Sequence, residues 1–334
     1  MASIWSPANA KSATLSTGHT YGWVSIPGSE ASKPTILFLH GFPSTSYDWR
    51  HQIDHFSALG YRIIAPDLLG YGDTDKPAEI EPYAFKSMAT DIVALLDREG
   101  VKDRVHVVGH DFGSLLLSQV INYYPGRLRT ASFLAVNYFP PGEPLDIEMA
   151  KEFSEGALGF ERFGYIRFFN EADCWKLMDS HLDSFFTLFY GSEADTAMDF
   201  YPAGKLQAWL EADRKAPFPR HMTEAEKEMR DRIFDPSAGR GYQGPTNWYK
   251  GRFGQKIGVE QEQKDGLDPY IYCPTLYVEQ ASTSKVHIPY LTEQTAKFTK
   301  AENVTKSVPT ESHWIILDAV KEVNQILEDF LESH

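Results

Sequence analysis

The residues best suited to chemistry form a short turn at positions 109–113, with the sequence Gly-His-Asp-Phe-Gly. An apolar run at 104–108 predicts a strand before the turn, and apolar residues at helical spacing predict a helix after it. This is the setting of a nucleophile elbow, in which glycines flank the nucleophile because its strained backbone leaves no room for side chains. The central residue is Asp111, and a carboxylate can attack saturated carbon to give an ester that water must then cleave. Taken alone, the same five residues also fit an ordinary turn without a catalytic role.

A second turn, His-Gly-Phe-Pro at residues 40–43, follows the apolar run at 35–39. The glycine permits an unusual backbone, and the proline fixes the direction in which the chain leaves the turn. We expect the turn to direct the N–H of Phe42 into a cavity, where it and the N–H of Phe112 would form an oxyanion hole. Without the elbow, a tight turn with a structural histidine at position 40 would be the preferred interpretation.

Two further motifs lie far along the chain, namely Asn-Trp-Tyr at residues 247–249 and Ser-His-Trp at residues 312–314. Together with residues 40–43 and 109–113, they give the chain a resemblance to the epoxide hydrolases of the α/β-hydrolase superfamily, with the haloalkane dehalogenases as close relatives. The resemblance runs over nearly the whole chain, and the combination of four motifs is far more specific than any one of them.

The resemblance implies a mechanism in two steps. Asp111 opens an epoxide ring to give an alkyl ester, while Tyr165 and Tyr249 donate hydrogen bonds to the ring oxygen. A phenol suits this task because it is neutral at working pH. His313 then activates the water that cleaves the ester, with the amides of Phe42 and Phe112 holding the oxyanion. Tyr190 and Tyr201 are alternatives for the less clearly marked Tyr165. The mechanism needs no cofactor, and the sequence shows no metal-ligand spacing or phosphate loop.

The sequence departs from the family pattern at the acid that should orient His313. The resemblance places this acid after the seventh strand, where the chain has Glu279 and then, near the expected position, Ser282 to Ser284. Three explanations stay open: Glu279 reaches His313, Asn137 at the end of the sixth strand orients it, or the acid is absent. Absence is favoured, and it would slow ester hydrolysis, since loss of the acid's charge costs about 10⁴-fold in serine proteases.

Strand-like and helix-like runs alternate through the first 124 residues, which predicts a parallel sheet covered by helices on both faces. From residue 138 to 265 the alternation stops, and the sequence favours an aromatic-rich helical segment. With the resemblance, the fold class is α/β, with the α/β-hydrolase fold: a mostly parallel eight-stranded sheet and an inserted helical cap. The predicted core is residues 1–137 and 266–334, and the predicted cap is residues 138–265.

The chain of 334 residues is acidic, with 32 basic and 46 acidic residues and a formal net charge of −14, which disfavours binding to nucleic acid. Its two cysteines do not make a disulfide framework, so we expect a reducing, cytoplasmic location. No apolar run predicts a signal peptide or a membrane span. A homodimer is one of the assemblies left open.

Three functions compete at this stage. The first is an epoxide hydrolase acting on an apolar or aromatic epoxide, the substrate class that the aromatic cap suggests. The second is a protein of the same fold with weakened hydrolysis, motivated by the missing acid, which guides ring opening or cyclisation in biosynthesis or binds a ligand. The third is a haloalkane dehalogenase, which ranks last because the resemblance would require asparagine and tryptophan at the positions of Phe42 and Phe112.

Overall fold

A single eight-stranded sheet forms the centre of the computed structural model, which describes residues 5–6, 9–30, 32–144, 146–281, 283–284, 287–288 and 293–334. The strands are β1 (Ala10–Thr14), β2 (Thr20–Ile26), β3 (Thr35–Leu39), β4 (Arg62–Pro66), β5 (Val105–His110), β6 (Leu128–Leu134), β7 (Thr275–Glu279) and β8 (Asn303–Ser307). Their order in the sheet is β1-β2-β4-β3-β5-β6-β7-β8. The strand β2 pairs antiparallel with β1 and β4, and every other pair is parallel. The predicted α/β-hydrolase fold is confirmed.

Some of the helices cover the two faces of this sheet, and the helices between β6 and β7 form a separate group. In chain order the helices are α1 (Arg50–Ala58), α2 (Phe85–Arg98), α3 (Phe112–Tyr123), α4 (Ile147–Leu158), α5 (Tyr165–Phe169), α6 (Cys174–Ser180), α7 (Leu182–Tyr190), α8 (Glu193–Phe200), α9 (Lys205–Glu211), α10 (Glu224–Ile233), α11 (Gln243–Tyr249), α12 (Val259–Lys264), α13 (Gln294–Phe298), α14 (Ile315–Asp318) and α15 (Val320–Glu332). Within the described residues, none of them is long and apolar enough to cross a bilayer.

The alternation of side chains along β3 shows why helices cover both faces of the sheet. Leu37 and Leu39 belong to one cluster of buried apolar side chains, which includes residues of α2 and α3. Ile36 and Phe38 belong to a second cluster, which includes residues of α1 and α15. Successive strand residues point to opposite faces, so a continuous apolar run can be buried only between two layers of helices.

Two helices that the sequence predicted as continuous are interrupted. The helix expected from residue 44 to 59 begins with a 3₁₀ turn at Ser46–Trp49, where the hydroxyl of Thr45 accepts from the N–H of Tyr47. The helix expected from residue 314 to 331 breaks at Ala319, whose φ and ψ of −121° and 46° are not helical. Apolar periodicity continues through both interruptions because the segments on each side bury their side chains against the same sheet face.

The segment between β6 and β7 consists of helices and loops in its described residues, 135–144 and 146–274. The predicted capping box is present at the start of α10, where Thr223 and Glu226 exchange hydrogen bonds between side chain and backbone. Buried aromatic side chains of this segment, such as Phe169 and Trp248, join the same apolar cluster as α2 and α3. We retain the division into residues 1–137 with 266–334 and residues 138–265 as a proposal.

Candidate active site

Asp111 lies in a sharp turn between the end of β5 and the start of α3, with φ of 54° and ψ of −122°. A side chain other than hydrogen at Gly113 would collide with the carbonyl oxygen of Leu39, and one at Gly109 would collide with the carbonyl of Gly113. The two glycines therefore let the turn pack against the neighbouring strand and against itself. This is the strained geometry that presents a nucleophile at the carboxyl end of a central strand.

The loop at residues 40–43 contacts the nucleophile directly. The N–H of Phe42 donates to Oδ1 of Asp111 at 2.8 Å. The buried ring of His40 fixes this loop, because its Nε2 accepts from the N–H of Leu68 at 2.8 Å and its Nδ1 lies 2.9 Å from the carbonyl oxygen of Gly41. An amide N–H can only donate, so Nδ1 carries the proton and donates to Gly41. Burial lowers the pKa of His40 to about 3, which keeps this tautomer neutral.

The second predicted oxyanion donor is the N–H of Phe112. Phe112 is the first residue of α3, immediately after Asp111. The N–H groups in the first turn of a helix have no partner within the helix and carry a partial positive charge. The position of Phe112 therefore suits the role that the sequence assigned to it, which stays a prediction.

His313 lies on the other side of the Asp111 carboxylate, in the loop between β8 and α14. Its Nε2 is 3.3 Å from Oδ2 of Asp111, and both side chains remain partly exposed. Burial raises the pKa of Asp111, but the hydrogen bond and charge of His313, the charge of His110 and the N–H of Phe42 outweigh it, so that the pKa is lower than usual. Asp111 is therefore ionised, as a nucleophile must be.

His110 supports the loop that carries His313. Its Nε2 lies 3.0 Å from the carbonyl oxygen of His313 and must donate, since a carbonyl only accepts. Within the described residues, its buried Nδ1 has no hydrogen-bond partner. Burial and the charge of His313 lower the pKa of His110 to about 4. Sequence reasoning missed this residue, although its place directly before the nucleophile is a signal that could have identified it.

We expect His110→Gln to reduce the pH dependence of stability. Between pH 6.5 and 4 the unfolded chain binds a proton at His110 that the folded chain does not, so stability falls as the pH falls through this range. Above pH 6.5 none of this stability is lost, and at pH 4 the loss in free energy of unfolding is on the order of 3 kcal/mol. Glutamine can still donate to His313 but does not titrate. Urea unfolding at pH 7, 6 and 5 measures the slope, and an unchanged slope would contradict the assignment.

The acid that should orient His313 is not found among the described residues. In that part of the chain, Asp111 supplies the only carboxylate within 4.0 Å of a ring nitrogen of His313. Oε2 of Glu279 lies 3.9 Å from Nδ1 of His287, and the described ion pairs include none between Glu279 and His313, so an orienting role for Glu279 stays a prediction. Glu279 is the last residue of β7 and lines the same cavity as His313. Asn137 lines the same cavity, and Ser282 lies outside the described residues.

A cavity of about 270 Å³ opens between Asp111 and the helical segment above it. Its wall is mostly apolar and rich in aromatic side chains, which include Phe139, Phe163, Phe189, Phe200, Phe253 and Trp314. Glu279, which the sequence offered as a possible acid, lines it as well, together with polar residues that sequence reasoning missed: Arg162, Tyr277, Gln280 and His287. The signal for part of this group is its place after a strand's carboxyl end, where ligands bind in open α/β sheets.

The structure brings Tyr165 and Tyr249 to this cavity, at the start of α5 and the end of α11. Their ring centroids are 6.0 Å apart, and the ring of Tyr249 packs against Phe42 and Phe112 at 4.9 and 4.7 Å. Burial raises the pKa of Tyr249 well above its usual value, and the neighbouring Tyr165 and Asp111 raise it further. Tyr249 therefore stays protonated next to the nucleophile and has a proton that it can donate.

The two alternative tyrosines occupy different places. Tyr201 lines the cavity, 5.9 Å from Tyr165 between ring centroids. Tyr190 is directed away from it, and its hydroxyl donates to the carbonyl oxygen of Pro43 at 2.6 Å.

Elsewhere in the chain, as far as it is described, no cluster of three histidine, cysteine, aspartate or glutamate side chains could hold a metal ion.

Comparison with known proteins adds the following similarities. Residues 34–161 match a family profile described as alpha/beta hydrolase fold. Over 330 residues the chain is 28% identical to bifunctional epoxide hydrolase 2 of Mus musculus, which covers 94% of this chain and 56% of the mouse protein. Over 329 residues it is 25% identical to epoxide hydrolase srdG of Neurospora crassa, which covers 95% of this chain and 93% of that protein.

The chain thus spans about half the length of the mammalian relatives that it matches and almost all of the Neurospora crassa relative. Among solved structures, epoxide hydrolase A from Mycobacterium thermoresistibile is similar with a TM-score of 0.78 and 25% identity, over 97% of this chain and 98% of that one. The similarity to solved structures therefore includes both the sheet and the helical segment that covers Asp111.

Proposed function

Because the chain belongs to the α/β-hydrolase superfamily, we propose that it is an epoxide hydrolase, which adds water to an apolar or aromatic epoxide to give a vicinal diol. The observation that carries the proposal is the position of one ionised carboxylate, that of Asp111. It lies between the N–H of Phe42 and the ring of His313, and it faces an apolar, aromatic-rich cavity that two phenols also line.

In the first step, Oδ2 of Asp111 attacks an epoxide carbon and displaces the ring oxygen. The new bond is an ester bond from Oδ2 to carbon, and the broken bond is a carbon–oxygen bond of the strained ring. The departing oxygen takes the electron pair and accepts a proton from Tyr249 or Tyr165. Oδ1 becomes the ester carbonyl oxygen, and it is already hydrogen-bonded to Phe42.

In the second step, His313 takes a proton from water, and the resulting hydroxide attacks the carbonyl carbon of the ester. The negative charge that develops on Oδ1 is stabilised by the amides of Phe42 and Phe112. Collapse of this intermediate breaks the bond between the carbonyl carbon and Oδ2, so that Oδ2 leaves with the product and takes the proton held by His313. The remaining proton of the water passes from the acid to the deprotonated tyrosine, which restores the carboxylate. Both protons of the water end on the two hydroxyl groups of the diol, one of them through the tyrosine.

The origin of the oxygen atoms tests this sequence of steps. The protein is mixed with a substoichiometric amount of an aryl epoxide such as styrene oxide in water labelled with ¹⁸O. We expect an unlabelled diol in the first turnover and one ¹⁸O atom in the peptide that contains Asp111. The absence of diol would refute the function, and bromide release from a bromoalkane without diol formation would favour a dehalogenase instead.

We expect Tyr249→Phe and Tyr165→Phe to slow ester formation, each by roughly 10²-fold, the scale of general acid catalysis. The phenylalanine keeps the ring that packs against Phe42 and Phe112 but cannot donate to the alkoxide. Rapid-quench mass spectrometry of the ester measures this rate. Tyr201→Phe is the matched control, because Tyr201 also lines the cavity. An effect of Tyr201→Phe larger than that of Tyr165→Phe would move the second donor to residue 201.

The missing acid favours a second candidate, a protein of this fold in which ester hydrolysis is weak. Such a protein would open an epoxide with a nucleophile within the same substrate, or bind an apolar ligand in the cavity. The observation behind it is the environment of His313, which among the described residues has only Asp111 as a carboxylate neighbour. A persistent ester on Asp111, or a cyclised product without label, would support this candidate over the first.

A further inference from the structure

The loop that carries the Phe42 amide is held from above by two side chains of the helical segment. The carbonyl oxygen of Pro43 accepts a hydrogen bond of 2.6 Å from the hydroxyl of Tyr190, at the end of α7. The same oxygen accepts a second hydrogen bond of 3.0 Å from Nη2 of Arg230, in α10. Pro43 directly follows the residue that contacts Oδ1 of Asp111.

Arg230 is a buried cation, with 4% of its surface exposed. Among the described residues, no carboxylate lies within 4.0 Å of it, and Nη1 makes a long hydrogen bond of 3.4 Å to the hydroxyl of Tyr242. The guanidinium lies over the rings of Tyr190 and Phe234, 4.2 and 4.5 Å from their centroids. Burying a charge without an opposite charge is costly. The shorter of its two described hydrogen bonds is the one to the carbonyl oxygen of Pro43, in the loop beside the nucleophile.

Tyr190 also contacts the element that carries the water-activating histidine. Its ring stacks on the indole of Trp314, the residue after His313, with centroids 4.1 Å apart and planes 11° apart. The indole N–H of Trp314 donates to the carbonyl oxygen of Phe189 at 3.0 Å. The end of α7 therefore touches both loops that the second step requires.

We propose that Tyr190 and Arg230 are positioning residues for ester hydrolysis, which hold the Phe42 amide against the oxygen that becomes the oxyanion. This inference rests on the proposed function. In the second step, a neutral carbonyl oxygen becomes negative, so a correctly placed N–H stabilises the transition state more than the ground state. In the first step, the same oxygen loses negative charge, so a displaced N–H does not slow ester formation. A loosened loop must therefore affect the two steps in different ways.

The experiment measures both steps in the full chain with an aryl epoxide that the native protein converts to a diol. Rapid-quench mass spectrometry gives the rate constant of ester formation, the rate constant of its hydrolysis and the fraction of protein present as ester. Tyr190→Phe removes one donor and keeps the ring stacked on Trp314. Arg230→Met removes the second donor and the charge. Tyr242→Phe is the matched control, because Tyr242 is buried and contacts Arg230 but not Pro43.

We expect hydrolysis to slow by about 10- to 100-fold in Tyr190→Phe and in Arg230→Met, somewhat less than the loss of a whole oxyanion donor. Ester formation should stay within about threefold, so the ester accumulates and kcat and KM fall together. Equal slowing of both steps, unchanged hydrolysis in Tyr190→Phe, or the same change in Tyr242→Phe would overturn the inference. If Arg230→Met does not fold, Tyr190→Phe decides. A native protein that forms neither ester nor diol would instead refute the proposed function itself.

Discussion

Replacing Asp111 by asparagine is expected to lower diol formation by at least about 10⁴-fold, the scale on which loss of the nucleophile acts in serine proteases. The amide of asparagine has the same shape and can still accept from the N–H of Phe42, but it does not carry the negative charge that attacks carbon. Because the reaction loses its covalent intermediate, no mass increase should appear on the protein with any epoxide. Product analysis and intact-protein mass spectrometry measure the two losses.

As a control, the fold and the cavity of Asp111→Asn are compared with those of the native protein. Asparagine keeps the shape of Asp111 and the hydrogen bond from Phe42, so we expect the melting temperature to change by a few degrees at most, and binding of a non-reactive apolar ligand to persist. Diol formation at more than about one per cent of the native rate would place the nucleophile at another residue. Loss of ligand binding as well would show that the substitution acts on the cavity and not on the chemistry.

The sheet and the elbow could be predicted because their causes are local in the sequence. The strands β3 and β5 are continuous apolar runs, and such runs can be buried only in a sheet covered on both faces. Asp111 could be recognised because the glycines of its turn are required by steric contacts within a few residues and with the adjacent strand. Tyr249 could be placed because it closes a short motif.

The parts of the site that could not be predicted depend on contacts between distant positions. Tyr190 and Arg230 meet Pro43 across 147 and 187 positions, and nothing near either residue indicates such a partner. Tyr190 was considered only as a donor to substrate, whereas its hydroxyl is directed at the loop below. Glu279 was considered as the missing acid because of its place in the chain, but the direction of its side chain depends on the loop that follows, which brings His287 next to it.

The arrangement around His313 has a consequence for the balance between the two steps. Asp111 is ionised and hydrogen-bonded in the resting protein, so ester formation does not depend on an orienting acid. Hydrolysis depends on the ring of His313, which among the described residues is supported by the donation of His110 to its carbonyl and by packing of the two rings at 4.9 Å. We therefore expect hydrolysis to be the slower step already in the native protein.

His313→Gln should stop the reaction after the ester, because glutamine cannot take a proton from water while the nucleophile stays intact. We expect ester formation within about tenfold of the native rate and a fall in hydrolysis by about 10³-fold or more, as for removal of a general base. Intact-protein mass spectrometry should show an increase equal to the mass of one epoxide, and digestion should locate it on Asp111.

The matched control is His287→Gln, which removes a histidine that lines the same cavity but lies 3.9 Å from Glu279 and not beside Asp111. This variant should release diol without accumulating ester, because the loss of a cavity histidine alone does not remove the base. Turnover by His313→Gln at the native rate, or an ester that accumulates equally in both variants, would show that another group activates the water. An ester that accumulates only in His313→Gln would show that His313 is needed for hydrolysis but not for ester formation, and would identify it as the base.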